Sequence, residues 1–209
     1  MKTDSLIFDM DGTIWDAVDT YVASWNKGAE IYGLEKRFTR EGLEKLMGQE
    51  IKKLLEATVP ELSEDERWRF FHTVVDQTDE AFAELGANIY PGVVEGMEKL
   101  SKKYKLFVLS NCDKGGIPQM LGITGLSPYI TDYFEYGMNT MPKSHNMHLL
   151  KEKHNLQHPV YVGDTEGDSY QTRLAGFPFV FVAYGHGNTE HFDIKFDSFD
   201  QLTEYFMNL

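Results

Sequence analysis

Hydrophobic positions along the chain fall into two patterns. Leu6-Ile7-Phe8 is a short, unbroken apolar run that stops at the acidic turn Asp9-Met10-Asp11-Gly12. Leu106-Phe107-Val108-Leu109 stops at Ser110-Asn111, and Val160-Tyr161-Val162 stops at Gly163-Asp164. Phe179-Val180-Phe181-Val182 precedes a Gly185-His186-Gly187 loop. Short apolar runs ended by turn residues predict buried strands. The last three lack polar alternation, which suits strands covered on both faces. Between the runs, Val93, Met97 and Leu100 lie at helical spacing in 93–103, and 144–154 and 168–175 also read as helices. Ser198 and Gln201 have capping-box spacing ahead of Leu202, Tyr205 and Phe206. Strands alternating with helices predict a parallel α/β sheet. In such sheets ligands bind beyond the carboxyl ends of the strands, where the polar residues after each run would gather.

Residues 16–88 break this rhythm. Val18, Tyr21, Val22, Trp25, Ala29 and Tyr32 form one helical stripe. A second stripe runs through Trp68, Phe71, Val75, Phe82 and Leu85, opened by the capping-box pair Ser63 and Glu66. Leu43, Leu46, Ile51, Leu54 and Leu55 fill a shorter pair between them. The expectation is a helical insertion over 16–88, with 1–15 and 89–209 forming the sheet domain.

Composition narrows the function. Hydrophobic residues make up 42% of the 209-residue chain, enough for a packed core. The formal net charge of -13 repels nucleic-acid backbones and anionic lipid surfaces, so neither is expected as a partner. It does not exclude small phosphates, because a bound cation inverts the local field. The single cysteine, Cys112, cannot form an internal disulfide. No apolar run is long enough to span a bilayer, and no signal peptide is evident. These features together predict a cytoplasmic protein, monomeric by default.

Four sites carry candidate chemistry. Asp9 and Asp11 flank one residue at the end of a strand, followed by Gly12 and Thr13. Two carboxylates so close require a proton or a cation nearby. Mg2+ prefers such oxygen ligands. One carboxylate can serve as a nucleophile and the other as general acid then base. Taken alone, the pair reads better as a turn whose Asp side chains bond nearby amides. Asp164 and Asp168 form a second acidic pair after another strand, with an acidic helix cap as the plain alternative. Ser110-Asn111 offers a hydroxyl and an amide to phosphoryl oxygens, and Lys143, after Pro142, offers a point cation. The histidines lack a His-Glu-x-x-His pattern, so His145 and His148 read as surface residues. His186 is expected to border the site. Cys112 reads as a small residue in a packed loop.

The order acid pair, hydroxyl, lysine, acid pair resembles the four-motif pattern of the haloacid dehalogenase-like superfamily. The resemblance rests on Phe8-Asp9-Met10-Asp11-Gly12-Thr13, Ser110-Asn111, Lys143 and Gly163-Asp164-Thr165-Glu166-Gly167-Asp168, and covers nearly the whole chain. It implies an α/β fold, a Rossmann-like parallel sheet core with an inserted α-helical cap domain over 16–88. It implies an Mg2+-dependent phosphatase acting on a small phosphorylated metabolite, with Asp9 as nucleophile and Asp11 as acid and base. Asp9, Asp11 through its backbone carbonyl, and Asp164 would hold Mg2+, supported by Asp168 from the first or second shell. Ser110 and Lys143 would hold the phosphoryl group, assisted by Asn111 and Thr13. Trp15, Asp16, Tyr21, Gln49, Lys52 and Lys53 are candidates to face the substrate, whereas Trp25 reads as core.

The overall plan looks like the phosphoglycolate phosphatase and β-phosphoglucomutase branch. Phosphoglycolate, sugar phosphates, pyrophosphate and nucleoside monophosphates all stay open as substrates. A phosphomutase is the nearest alternative. Tyr21 stands where those mutases usually carry a histidine, and Ile51 lies where they carry an arginine after a cap glycine. A dehalogenase would not need Asp11. A non-enzymatic, phospho-accepting signalling domain would normally carry its aspartate on a later strand.

Overall fold

The four apolar runs become strands of one sheet in the computed structural model, which describes residues 2–209. Met1, the first residue of the expected 1–15 segment, lies outside the described residues. Strand β1 spans Ser5–Phe8 and leads through a tight turn into the two-residue strand β2, Trp15–Asp16. Five helices follow: α1 Val18–Tyr32, α2 Arg40–Glu44, α3 Ile51–Thr58, α4 Glu64–Val75 and α5 Thr78–Leu85. Strand β3, Asn88–Ile89, then pairs antiparallel with β2. The chain therefore leaves for the helical block and returns from it at one place. Beyond it come α6 Val93–Ser101, β4 Lys105–Ser110, α7 Gly116–Thr124, β5 Asp132–Glu135 and α8 Tyr136–Asn139. The chain closes with α9 Lys143–His154, β6 Pro159–Gly163, α10 Glu166–Ala175, β7 Phe179–Val182, β8 Ile194–Phe196 and α11 Phe199–Met207.

The main sheet has the order β5-β4-β1-β6-β7-β8, and every pairing in it is parallel. β1 is central and buried on both sides. Leu6 and Phe8 pack with Val108, Val160, Met97 and Leu202 on one face. Ile7 packs with Phe107, Leu109, Tyr161 and Met147 on the other. Burial on both faces is why the run shows no alternation. Each such side chain contributes roughly 1.5–3 kcal/mol relative to exposure. From β1 the chain first builds outward through β4 and β5, then returns to β6 on the opposite side of β1. A crevice opens at such a reversal, beyond the strands' carboxyl ends. Among the described residues, no helix is long and apolar enough to cross a membrane.

The helical block has its own core of Trp25, Phe38, Leu55, Phe70, Phe71 and Val74. The expected stripe from Trp68 to Leu85 is not one helix: it breaks at Asp76 and Gln77 between α4 and α5. The two halves serve different cores. Phe70 and Phe71 pack inside the block, whereas Phe82 stacks on Trp15 at 5.1 Å and belongs to the sheet's core. A helical period does not reveal which core a position faces. The capping box at Ser198 is also altered. Ser198 accepts from the Gln201 N–H at 3.3 Å, but the Gln201 side chain reaches the Asp197 N–H instead.

Phe82→Ala is expected to lower stability by about 3–5 kcal/mol, since it empties a seat between the two cores. Urea unfolding measures this. A loss below about 1 kcal/mol would show that the ring does not hold the helical block to the sheet domain.

Candidate active site

The turn after β1 sets the first acidic pair. The Asp9 N–H donates to the Val162 carbonyl at 2.8 Å, extending the β1–β6 ladder by one residue and anchoring Asp9 at the sheet's edge. Gly12 then adopts φ +79°, and a Cβ at that position would collide with the Asp164 carboxylate. Gly185 approaches the same carboxylate as closely, from the loop after β7. Only glycines allow two backbone segments this near one side chain.

Lys143 is the first residue of α9 and is buried. Its ammonium lies 2.7 Å from Asp9 Oδ1 and 2.7 Å from Asp168 Oδ1. Asp164 completes the group, and the carboxylates of Asp9, Asp164 and Asp168 converge to within 4.8 Å of one another. Their remaining atoms differ in what they touch. Asp168 Oδ2 accepts from the Thr165 N–H at 3.1 Å and hydroxyl at 2.6 Å, closing a capping box on α10. The Tyr161 hydroxyl lies 3.3 Å from Asp168 Oδ1. Both Asp168 oxygens thus have protein partners. Asp164 Oδ2 accepts from the His186 and Gly187 N–H groups at 2.8 and 3.1 Å. Asp164 Oδ1 has only the Thr13 hydroxyl, at 3.4 Å. Asp9 Oδ2 is buried with no partner at all.

These charges do not balance. Three carboxylates face one ammonium, so the fully ionised group lacks two positive charges. Burial and the charge of Asp168 push Asp9 well above the ordinary carboxyl range, against the pull of Lys143. The same two causes raise Asp164 from 3.8 to about 6. Burial disfavours the charge on Lys143, but Asp168 and Asp9 outweigh it and hold the ammonium well above its usual pKa. An orphaned carboxylate oxygen beside a second acid, with a shortfall of two charges, fits a hard dication.

Asp11 stands apart from that group. Its Oδ1 accepts from Trp15 Nε1 at 2.9 Å and from the Tyr21 hydroxyl at 3.0 Å. Burial raises its pKa, and those two hydrogen bonds oppose the rise. Ser110, buried at the end of β4, accepts from the Cys112 N–H at 3.2 Å. Its own proton is left for another acceptor. Burial raises the Cys112 thiol well above its usual value, which speaks against a thiolate nucleophile.

A cavity of about 590 Å³ separates the helical block from the sheet domain, and Asp9, Asp11, Ser110 and Asn111 all line it. Lys143 and Asn111 line a neighbouring cavity of about 400 Å³. Thr13 lines neither and is fully buried against Asp164. The Asn111 amide donates to the Gly48 carbonyl at 2.7 Å, joining the helical block to the sheet domain rather than pointing freely at a ligand. Tyr21 and Gln49 face the larger cavity. Trp15 is buried against Phe82, Asp16 pairs with Arg40, Lys52 pairs with Glu64 outside, and Lys53 lines the smaller cavity. Trp25 is core, as its spacing suggests, and also lines the larger cavity. His145 and His148 are exposed on α9. His186 borders the site by its backbone, and its ring nitrogen Nδ1 lies 3.2 Å from Glu44 of α2. Tyr161 went unseen in the sequence because it reads as one more apolar strand position.

The sequence profile described as haloacid dehalogenase-like hydrolase matches residues 6–182. A phosphoglycolate phosphatase of Rhodobacter capsulatus is 25% identical over 198 residues, covering 88% of this chain and 86% of its own. One from Agrobacterium fabrum is 26% identical over 215 residues, covering 94% and 89%. Among solved structures, a haloacid dehalogenase-like hydrolase from Streptococcus pneumoniae superposes with a TM-score of 0.84. It is 18% identical, with 98% of each chain covered.

The strained acidic group has a thermodynamic signature. A carboxyl whose pKa is raised on folding adds stability that is full below its unfolded pKa and is lost as pH rises through the folded one. For Asp164 that window runs from 3.8 to about 6. Metal-free protein is therefore expected to lose thermal stability between about pH 4 and pH 6, and Mg2+ to restore more at the higher pH. Calorimetry with and without Mg2+ at both values tests this. An Mg2+ effect of equal size at both would remove the acidic group from the explanation.

Proposed function

The chain belongs to the haloacid dehalogenase-like hydrolase family, and we propose that it is an Mg2+-dependent phosphatase of a small phosphate monoester. The reaction would follow the plan of the phosphoglycolate phosphatases it is similar to. The observation that carries the reading is the buried, partnerless oxygen of Asp9, held beside Lys143 at the edge of a ligand-sized cavity.

Asp9 and Asp164 would hold the ion, with the backbone carbonyl of Asp11. Asp168, whose oxygens both have protein partners, would support it from behind by fixing Lys143 and the start of α10. The bound ion supplies positive charge to the phosphoryl oxygens and to the acidic group. The protein's own groups do the rest. With the ion's charge added to its own, Lys143 would favour the ionised form of Asp9, and it holds a phosphoryl oxygen. The Ser110 hydroxyl donates to another. An Asp9 oxygen attacks phosphorus, the bond to the leaving oxygen breaks, and Asp11 gives that oxygen its proton. A raised pKa suits Asp11 to carry this proton. Asp11, now a carboxylate, takes a proton from water, whose oxygen attacks phosphorus and frees Asp9 and inorganic phosphate.

In this reading, residues 16–88 form a cap and Asn111 and Thr13 act indirectly. Asn111 latches the cap through Gly48, and Thr13 orients Asp164. A closed cap would exclude water while the leaving group departs. The single cysteine accords with a reducing cytoplasm as the setting.

Phosphate release from a panel of monoesters should require Mg2+, stop with chelator and vanish in Asp9→Asn. Asp11→Asn should turn over on the order of 10²–10⁴ times more slowly and accumulate phosphoprotein. Release that persists in Asp9→Asn would refute the assigned nucleophile. A long-lived phosphoprotein in the unsubstituted chain would favour a mutase or signalling role instead.

A further inference from the structure

We infer that the alcohol released by this enzyme is apolar-bodied and carries no carboxylate, and that the helical wall of the larger cavity selects it. The inference rests on the phosphatase reading and concerns the leaving group alone.

Three observations carry it. The first is size. A cavity of about 590 Å³ lies within the ~300–1,000 Å³ range that houses drug-sized ligands. A two-carbon acid such as glycolate would leave most of it unfilled. The second is the wall. Trp25 of α1, Ile51 and Leu54 of α3, and Phe71, Val74 and Val75 of α4 all line the cavity. These positions reward apolar area, and all but the Trp25 indole offer no hydrogen bond.

The third is charge and polar pairing. Among the described residues lining the cavity, Lys114 is the one lysine or arginine, and it is exposed on the sheet-domain loop. Asp76, Asp79 and Asp113 line it too. Lys52 and Lys53 turn to Glu64 and Glu50 instead. A second anion on the substrate would find only the exposed Lys114 as a cation there, among three carboxylates. Some of the polar groups present are already engaged, while the Ser110 hydroxyl and the Gln49 side chain stay open. Ser24 donates to the Thr20 carbonyl at 3.0 Å, Tyr21 to Asp11 at 3.0 Å and Gln119 to Asp79 at 2.6 Å.

The test compares kcat/KM of the full chain with Mg2+ on 2-phenylethyl phosphate, glucose 6-phosphate and phosphoglycolate. All three release primary alcohols, so the ranking reads the cavity more than the chemistry. The expected order puts 2-phenylethyl phosphate first, by on the order of tenfold or more. Leu54→Arg and Val75→Arg should each shrink the ratio of 2-phenylethyl phosphate to phosphoglycolate, with folding checked by circular dichroism. If either variant fails to fold, the ranking by the unsubstituted chain still decides. Preference for phosphoglycolate or glucose 6-phosphate would overturn the inference and leave the phosphatase reading standing. Hydrolysis of none of the esters in this or a wider monoester panel would overturn both.

Discussion

Lys143 lies between Asp9 and Asp168, 2.7 Å from each, with Asp164 close by and almost no water on any of the four. One ammonium cannot neutralise three carboxylates. In a dry crevice the imbalance costs free energy, which the surrounding fold must tolerate. The same imbalance makes the crevice attractive to a dication and then to a phosphoryl group. Much of the local architecture reads as support for this arrangement. Four apolar strands bring their ends together, glycines let loops close on Asp164, and the Thr165 cap fixes one face of Asp168.

The helical block adds a second layer of organisation. It has its own aromatic core, yet α5 leaves that core and inserts Phe82 into the sheet domain's. Asn111 to Gly48 and His186 to Glu44 join the two parts near the crevice. Tyr136 of α8 also packs into the block's core, and at the chain crossing Phe82 stacks on Trp15.

The strands and the acids of the candidate site were legible because each depends on local pattern. Leu6-Ile7-Phe8 followed by Asp9 states both burial and chemistry within a few residues. What escaped depends on distance in the chain. β5 and β8 are short outer strands, and Asp132-Tyr133-Phe134-Glu135 carries as many acids as apolar residues. α7 begins with Gly116 and carries Pro118 in its first turn, where proline is tolerated but looks like a breaker. Asn111 looks free in sequence because Gly48 is 63 positions away. The division of one apolar stripe between two cores is invisible for the same reason.

The bond network of Asp11 links the proposed proton transfer to the boundary between the two parts. Trp15, which donates to it, belongs to the two-stranded ribbon through which the chain crosses. Tyr21, the other donor, belongs to the first helix beyond that crossing. The proposed proton donor is therefore held jointly by both parts. A chimera that exchanged the helices for those of another family member would keep the Trp15 contact and forfeit the one from Tyr21, so the two parts are not fully interchangeable modules.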